Sequence, residues 1–391
     1  MLDLYCFYAK NLYNHANYLI REEFIKNNKW LRYQDLDKIL REDKIYPDYR
    51  QMPTAQSAQQ LLKQLDKNWK SFFKSIKDWS KHKDKYKGKP NLPNYKSKDG
   101  RCILTLTNQN VRFKDNMLYF PKTFNGFTLK PHFINKSNFV SFQQVRFIPK
   151  HNHIIVEVIY NVEVPELKTN NGRYLSIDIG VDNLATIANN IGKKPVIING
   201  RGLKSVNQYF NKQKAHYQKI AKQANNRYIT RRLKGLTTRR NQKIYDYMHK
   251  SSRFIVNYAK DNNISVIVIG HNEGWKQEVN MGTKTNQSFV QIPFNILIQQ
   301  IQYKAQECGI QVILTEEAYT SGTSFLDNEK SIKANYNKSR RIHRGLFKSN
   351  NGTKINADVN AAYQIMKKVF PKEKSNGIEG IVLYPIKVDV A

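Results

Sequence analysis

SIDIGVDNLATIA, residues 176–188, is the stretch on which the reading of this chain turns. Apolar residues alternate around Asp178 as a strand requires, a Gly-Val-Asp-Asn turn follows at 180–183, and a second apolar run begins at Leu184. Asp182 falls in that turn and suits a hairpin. A second stretch, NADVNAAY at 356–363, places Asp358 where a helix would hold it rigidly. Carboxylates fixed in this way and brought together by a fold can clamp two Mg²⁺ ions and so attack a phosphodiester, but such a site usually draws a third carboxylate from a strand between them. The strand expected there, SVIVIG at 265–270, ends on Gly270.

Working outward, the second half reads from Gly172 as strand (RYLSIDIG), strand (LATIAN), strand (PVIIN), a long helical stretch, strand (SVIVIG), helix (PFNILIQQIQYKAQ), strand (QVILTE), an irregular basic segment and a final helix (ADVNAAYQIMKKV). Three strands able to meander, then alternating helices and strands, is the element order of an RNase H-like fold. In that order the first strand lies beside the fourth. Asp178 is therefore expected near the end of SVIVIG, with the last helix bringing Asp358 over the same edge.

The first half differs. Ala55, Ala58, Leu62, Leu65, Trp69, Phe72, Ile76 and Trp79 recur in steps of three and four, the spacing of a long helix face, and an earlier helix is expected from about Lys10 to Phe24. The run 81–101, KHKDKYKGKPNLPNYKSKDGR, is broken by Gly and Pro and crowded with lysines; Lys85, Lys87, Lys89 and Tyr95 suit a loop on a nucleic-acid path, the alternative being a solvated linker. Between Cys102 and Glu166, short alternating runs (CILTLT, MLYFP, VSFQQVRFI, HIIVEVIYNVEV) predict a small antiparallel barrel or sheet.

Composition narrows the partners. Against 65 Lys and Arg stand 31 Asp and Glu, a formal charge of +34. Self-repulsion of that size calls for a polyanion, and nucleic acid fits better than a membrane because no apolar run reaches about 18 residues. Cys6, Cys102 and Cys308 lie too far apart in sequence for a disulfide framework or a zinc site. The N-terminal residues lack the features of a signal peptide, so a cytoplasmic protein is expected. Arg227, Arg231, Arg232, Lys234, Arg239, Arg240 and Lys243, around Gly235, could neutralise the phosphates of a nucleic acid, or form a solvated helix face. Asn360 could reach a metal-bound water, although capping or packing is the commoner use of an Asn.

Taken together, SIDIGVDNLATI, WKSFFKSIKDW with GKPNLPNY, YTSGTSFLD and INADVNAAY resemble the TnpB proteins of insertion sequences, RNA-guided nucleases with a RuvC-like domain related to type V CRISPR effectors. The resemblance covers almost the whole chain. It implies an α+β multidomain fold: a helical recognition lobe (1–98), a wedge-type β-barrel (99–170), a RuvC-like nuclease domain (171–318), a target-binding insert (319–354), and the last nuclease helix with its tail (355–391). It also implies guide RNA and double-stranded target DNA as partners, Mg²⁺ as cofactor, and Asp178 and Asp358 as the first and last acids of the site.

Three departures stand out. The family's second acid is replaced by Gly270, leaving Glu273, Glu316 and Glu317 as alternatives; a carboxylate on the neighbouring strand would be only about 5 Å away. Cysteine pairs that bind zinc in relatives are missing after Thr320-Ser321, so zinc is not expected and the segment with Arg340, Arg341 and Arg344 must be held by packing or nucleic acid. Relatives begin with a barrel strand, whereas this chain opens almost directly on a helix. The expected activity is RNA-guided DNA cleavage. The alternatives are guide-directed DNA binding without cutting, motivated by Gly270, and a strand-transferring transposase.

Overall fold

The computed structural model describes residues 1–131, 138–226, 228–272, 291–373 and 384–390. They divide into two compact units, Met1–Glu163 and Val164–Ala391. Among the described residues no helix is long and apolar enough to cross a membrane.

The first unit carries three helices, α1 (Leu2–Asn27), α2 (Tyr33–Glu42) and α3 (Ala55–Lys81). The first is longer than the periodicity suggests, because polar Lys10 and Asn17 are buried within it and break the apolar pattern. Asn17 is held by Trp69, whose indole Nε1 donates to its Oδ1 at 3.0 Å. Six strands follow: β1 (Leu104–Thr107), β2 (Arg112–Lys114), β3 (Met117–Tyr119), β4 (Thr128–Leu129), β5 (Phe139–Pro149) and β6 (Ile154–Val162). They form two three-stranded antiparallel sheets, ordered β1-β5-β6 and β2-β3-β4. One core joins Leu12, Leu62 and Trp69 of the helices to Leu106 and Phe147 of the strands.

In the second unit a six-stranded sheet is built from β7 (Tyr174–Ile179), β8 (Asn183–Asn189), β9 (Val196–Asn199), β10 (Val266–Gly270), β11 (Gln311–Thr315) and a C-terminal edge strand, β15 (Ile386–Val388), in the order β11-β10-β7-β8-β9-β15. The first strand does lie beside the fourth: β7 and β10 run parallel, with Ile177 opposite Ile269. The edge strand β15, three residues long, is too short to leave a sequence signal. The long helical stretch is two helices, α4 (Arg201–Asn225) and α5 (Arg231–Asp261), broken where Asn226 takes a left-handed conformation at φ 50°. Asn tolerates that region better than most residues.

Strand alternation buries both faces of this sheet. Leu175, Ile177, Ile267 and Ile269 pack against Ile255 of α5 and against Leu297 and Ile301 of α6 (Phe294–Gln306). Tyr174, Val266 and Val268 face the other way, onto Ile365 and Met366 of α7 (Ala357–Val369). Asp178 shares the parity of Tyr174, which turns it toward α7.

The irregular basic segment contains a small antiparallel sheet, β12 (Arg341–His343), β13 (Leu346–Lys348) and β14 (Lys354–Asn356), the last leading straight into α7. Its anchorage is polar as well as apolar. Buried Asn360 accepts from the Phe325 amide at 2.9 Å and donates to the Thr323 carbonyl at 2.8 Å, while Phe325 stacks on Tyr363 with ring centroids 4.6 Å apart. Arg340 pairs with Glu329 at 2.7 Å, and Gln364 donates to the Glu329 carbonyl. Asn360 thus serves packing, the commoner of the two uses open to it. Replacing Asn360 by Ala orphans two buried backbone groups and should cost about 2–4 kcal/mol in urea denaturation; a change under about 0.5 kcal/mol would show that these bonds do not hold the segment.

Candidate functional site

At the end of β7, Asp178 stands beside the end of β10, where Gly270 pairs with Thr315 of β11. Two residues past Thr315 comes Glu317. Val312 packs with the α5–α6 face of the sheet and Ile313 with the α7 face, so odd positions in β11 turn toward α7. Continued beyond the strand, that parity sends Glu317 toward Asp178 and leaves Glu316 exposed. The two glutamates that sequence alone left open are thereby separated. Glu273, the third alternative, lies outside the described residues.

Glu317 occupies the space that a side chain at Gly270 would need. A Cβ added there would stand 3.0 Å from Glu317 Oε2 and 2.5 Å from Ile365 Cδ1. Asn272 fixes the glutamate, donating to Oε1 at 3.2 Å and accepting the Glu317 amide at 3.0 Å. The other oxygen, Oε2, is buried with no hydrogen-bond partner.

Asp358 enters from the first turn of α7. Asn356 caps that helix, its Oδ1 accepting the amides of Asp358 and Val359 at 3.0 and 3.1 Å. A carboxylate in a helix's first turn is favoured by the helix dipole. Asn183 donates to Asp358 Oδ2 at 2.6 Å, and Arg341 donates to Oδ1 at 3.3 Å. Both donors escape a sequence reading, although Asn183 sits within the opening stretch; its partner is 175 residues away.

The electrostatics join the three acids. Burial, then the Asp358 and Glu317 carboxylates, push Asp178 well above the usual carboxylate range, with Arg341 pulling the other way. Burial raises Glu317 to about 7, against a weaker opposing pull from Lys368. By the chemistry of its donors an all-oxygen set with one carboxylate oxygen left without a hydrogen-bond partner is of the kind that suits a hard cation such as Mg²⁺. The spacing is nevertheless open: among the described residues no three His, Cys, Asp or Glu side chains are gathered into a group that could hold a metal ion. Mutual repulsion and the Arg341 contact both act in that direction. Asp182 is turned elsewhere, its carboxylate pairing with Lys204 and Arg344 at 3.1 and 3.0 Å while its carbonyl accepts from the amide of Gly200, just past β9.

The expected nucleic-acid contacts fall into two groups. Lys85, Lys87, Lys89, Arg231, Lys234, Arg239 and Lys243 are exposed. Exposed Arg232 lies over the Tyr217 ring, and Arg21 lies over the ring of half-exposed Tyr95. The 81–101 run is no free linker: Lys10, Asn14, Asn17 and Arg21, on one face of α1, each bond to a backbone carbonyl between Pro93 and Lys98. Arg240 departs from expectation, because it is half-buried and donates to Asn207, Asn241 and the Gln291 carbonyl. Its place is structural, between α4 and α5. Arg340, Arg341 and Arg344 each already face a carboxylate. Arg227 lies outside the described residues.

Two family models match parts of the chain: a probable transposase of the OrfB_IS605 type over residues 157–276, and the TNB domain of Cas12f1-like proteins over residues 294–365. No curated protein matches. Solved structures that match include a chain from a Cas12f1–sgRNA–target DNA complex, at 15% identity over 91% of each chain with a TM-score of 0.38. Another is a chain from a CRISPR-Cas12f ternary complex, at 15% identity over 93% of this chain and 80% of that one, also with a TM-score of 0.38.

Two measurements probe the acids. Because the folded-state value of Glu317 is raised from 4.5 to about 7, the unfolded chain ionises first and metal-free stability falls as pH rises through that window. Glu317→Gln should flatten this fall, which is on the order of 2–3 kcal/mol, in denaturation between pH 4.5 and pH 7; an unchanged slope would contradict the burial of the carboxyl. Gly270→Asp should destabilise by about 1–3 kcal/mol through overpacking and like charge, and adding Glu317→Ala should recover part of that loss. No recovery in thermal denaturation would mean that the two positions do not share one space.

Proposed function

We propose that this chain, parts of which match the OrfB_IS605 and Cas12f1-like TNB family models, is a TnpB/Cas12f-like protein and a cytoplasmic RNA-guided DNA endonuclease whose RuvC-like site is Asp178, Glu317 and Asp358. The observation that carries this reading is Glu317: its carboxylate stands against Gly270, where the family's second acid is missing, with one oxygen buried and unpartnered. A site that had merely lost an acid would have no reason to keep a carboxylate there, since burying one without a partner is costly.

In this reading the three carboxylates hold Mg²⁺, and the residues around them set their orientation. Asn272 fixes Glu317, Asn183 fixes Asp358, and the Asn356 cap aims the start of α7 at the end of β7. The chemistry supplied by bound Mg²⁺ is Lewis-acid stabilisation of the phosphate oxygens and a lowered pKa for the attacking water. Guide RNA selects the target by base pairing, and the exposed cations of α5 and of the 81–101 run neutralise backbone phosphate. An excess of +34 suits a protein that works wrapped around nucleic acid.

One observation favours the second reading, RNA-guided DNA binding without cutting: the absence, among the described residues, of a three-acid group able to hold a metal ion. A single experiment separates the two. Protein purified with its own RNA should cut a matched plasmid in Mg²⁺, with Asp178→Ala and Glu317→Gln slower by roughly three orders of magnitude and Glu316→Gln near wild type. Cutting that persists in Asp178→Ala would sink the assignment, and a mobility shift without any cutting would establish the second reading.

A further inference from the structure

The acid site contains a cation of its own. Arg341, in β12, donates from Nη2 both to Asp358 Oδ1 at 3.3 Å and to the Arg344 carbonyl at 3.0 Å, while its Nε is buried with no hydrogen-bond partner. A guanidinium with one nitrogen unsatisfied is not optimally placed as a structural brace, since Arg forks in stable pairs usually engage carboxylates through two parallel bonds. What this one does supply is positive charge beside Asp358, at an edge where Asp178 also feels Asp358, Glu317 and Arg341.

The arm that carries it is slight. β12 meets β13 at only two positions, Arg341 with Phe347 and His343 with Leu346, with an irregularity between them. Arg344, in the turn of the same hairpin, is 79% exposed and reaches Asp182 Oδ2 at 3.0 Å. Both arginines of the hairpin are therefore lent to acids of the protein's own sheet edge, and both are of the type that a phosphate would compete for.

We propose that Arg341 is a resident counter-cation that holds the place of a divalent ion at Asp358, and that nucleic-acid phosphates, by drawing the Arg341–Arg344 hairpin away, open that place. This rests on reading the three acids as a magnesium site. Like charges cannot share one carboxylate edge at no cost, so guanidinium and divalent ion compete, and whatever withdraws the guanidinium tightens the ion. Linkage makes the coupling reciprocal: the ion tightens nucleic acid by the same factor. The consequence for function is a site that loads its metal chiefly when a substrate strand is present.

The test is Mn²⁺ binding to the full chain, freed of nucleic acid, followed by electron paramagnetic resonance in wild type, Arg341→Gln, Asp358→Asn and the double variant. Arg341→Gln should bind Mn²⁺ about tenfold more tightly than wild type, the equivalent of one exchanged charge contact. A short single-stranded DNA oligonucleotide, corrected for its own Mn²⁺ uptake, should tighten wild type by a similar factor and leave Arg341→Gln unchanged. Asp358→Asn should abolish the gain in both backgrounds. Equal or weaker Mn²⁺ binding in folded Arg341→Gln would overturn the proposal. So would an oligonucleotide that fails to tighten Mn²⁺ binding in wild type, a measurement that needs no variant. Mn²⁺ binding unaffected by Asp358→Asn would instead bring down the magnesium-site reading, and the proposal with it.

Discussion

Three carboxylates that repel one another are held at the end of two parallel strands and the start of a helix, and much of the second unit can be understood as what keeps them there. β10 is apolar on both faces and β7 on the face toward α5 and α6, so neither strand can slip register without exposing core to water. The lack of a side chain at Gly270 leaves room for Glu317 and for Ile365 of the covering helix. Donors then meet the acids one by one: Asn272 for Glu317, Asn183 and Arg341 for Asp358, with the dipole of α7 adding to the second. Asp178 has the least compensation: burial first, and then the Asp358 and Glu317 carboxylates, raise it well above the usual carboxylate range.

The segment between β11 and α7 is part of the same system. Its Arg340–Glu329 pair, the bonds of Asn360 and Gln364, and the Phe325–Tyr363 stack fasten it along α7. Since β14 continues into that helix, the fastening that orders the segment also sets where Asp358 points and how near Arg341 comes to it. A change in the small sheet is therefore transmitted to the acids through a few residues of continuous backbone, with no long pathway needed.

The basic character of the chain is not uniform in kind. Some cations are internal fittings: Arg240 joins α4 to α5, and Lys10 and Arg21 strap the 81–101 run along α1. Others, including Lys85, Lys87, Lys89, Arg239 and Lys243, are exposed. Net charge counts both alike, although only the exposed ones can neutralise phosphate at little cost. Arg341 and Arg344 form a third kind, paired within the protein yet placed where a phosphate would compete.

Periodicity was enough to read the strands around Asp178, the helix of Asp358 and the long helix that begins at Ala55, because each rests on local alternation or helical spacing; the adjacency of the first and fourth strands came from the order of the elements. It could not foresee β15, too short to carry a pattern, nor the break at Asn226, which depends on one residue's conformation, nor the full length of α1, whose polar core residues interrupt its stripe. The site divides in the same way. Two of its acids are written in their own neighbourhoods. The third is not, because Glu316 and Glu317 are neighbours whose difference is one of facing, and facing is set by how β11 pairs with β10 and by what lies on each side of the sheet. Asn183, Asn272 and Arg341 are likewise ordinary polar residues until long-range packing brings each to a carboxylate. Local sequence determined the elements and the two aspartates; only the tertiary structure decided which glutamate meets them, since that depends on contacts between residues far apart in the chain.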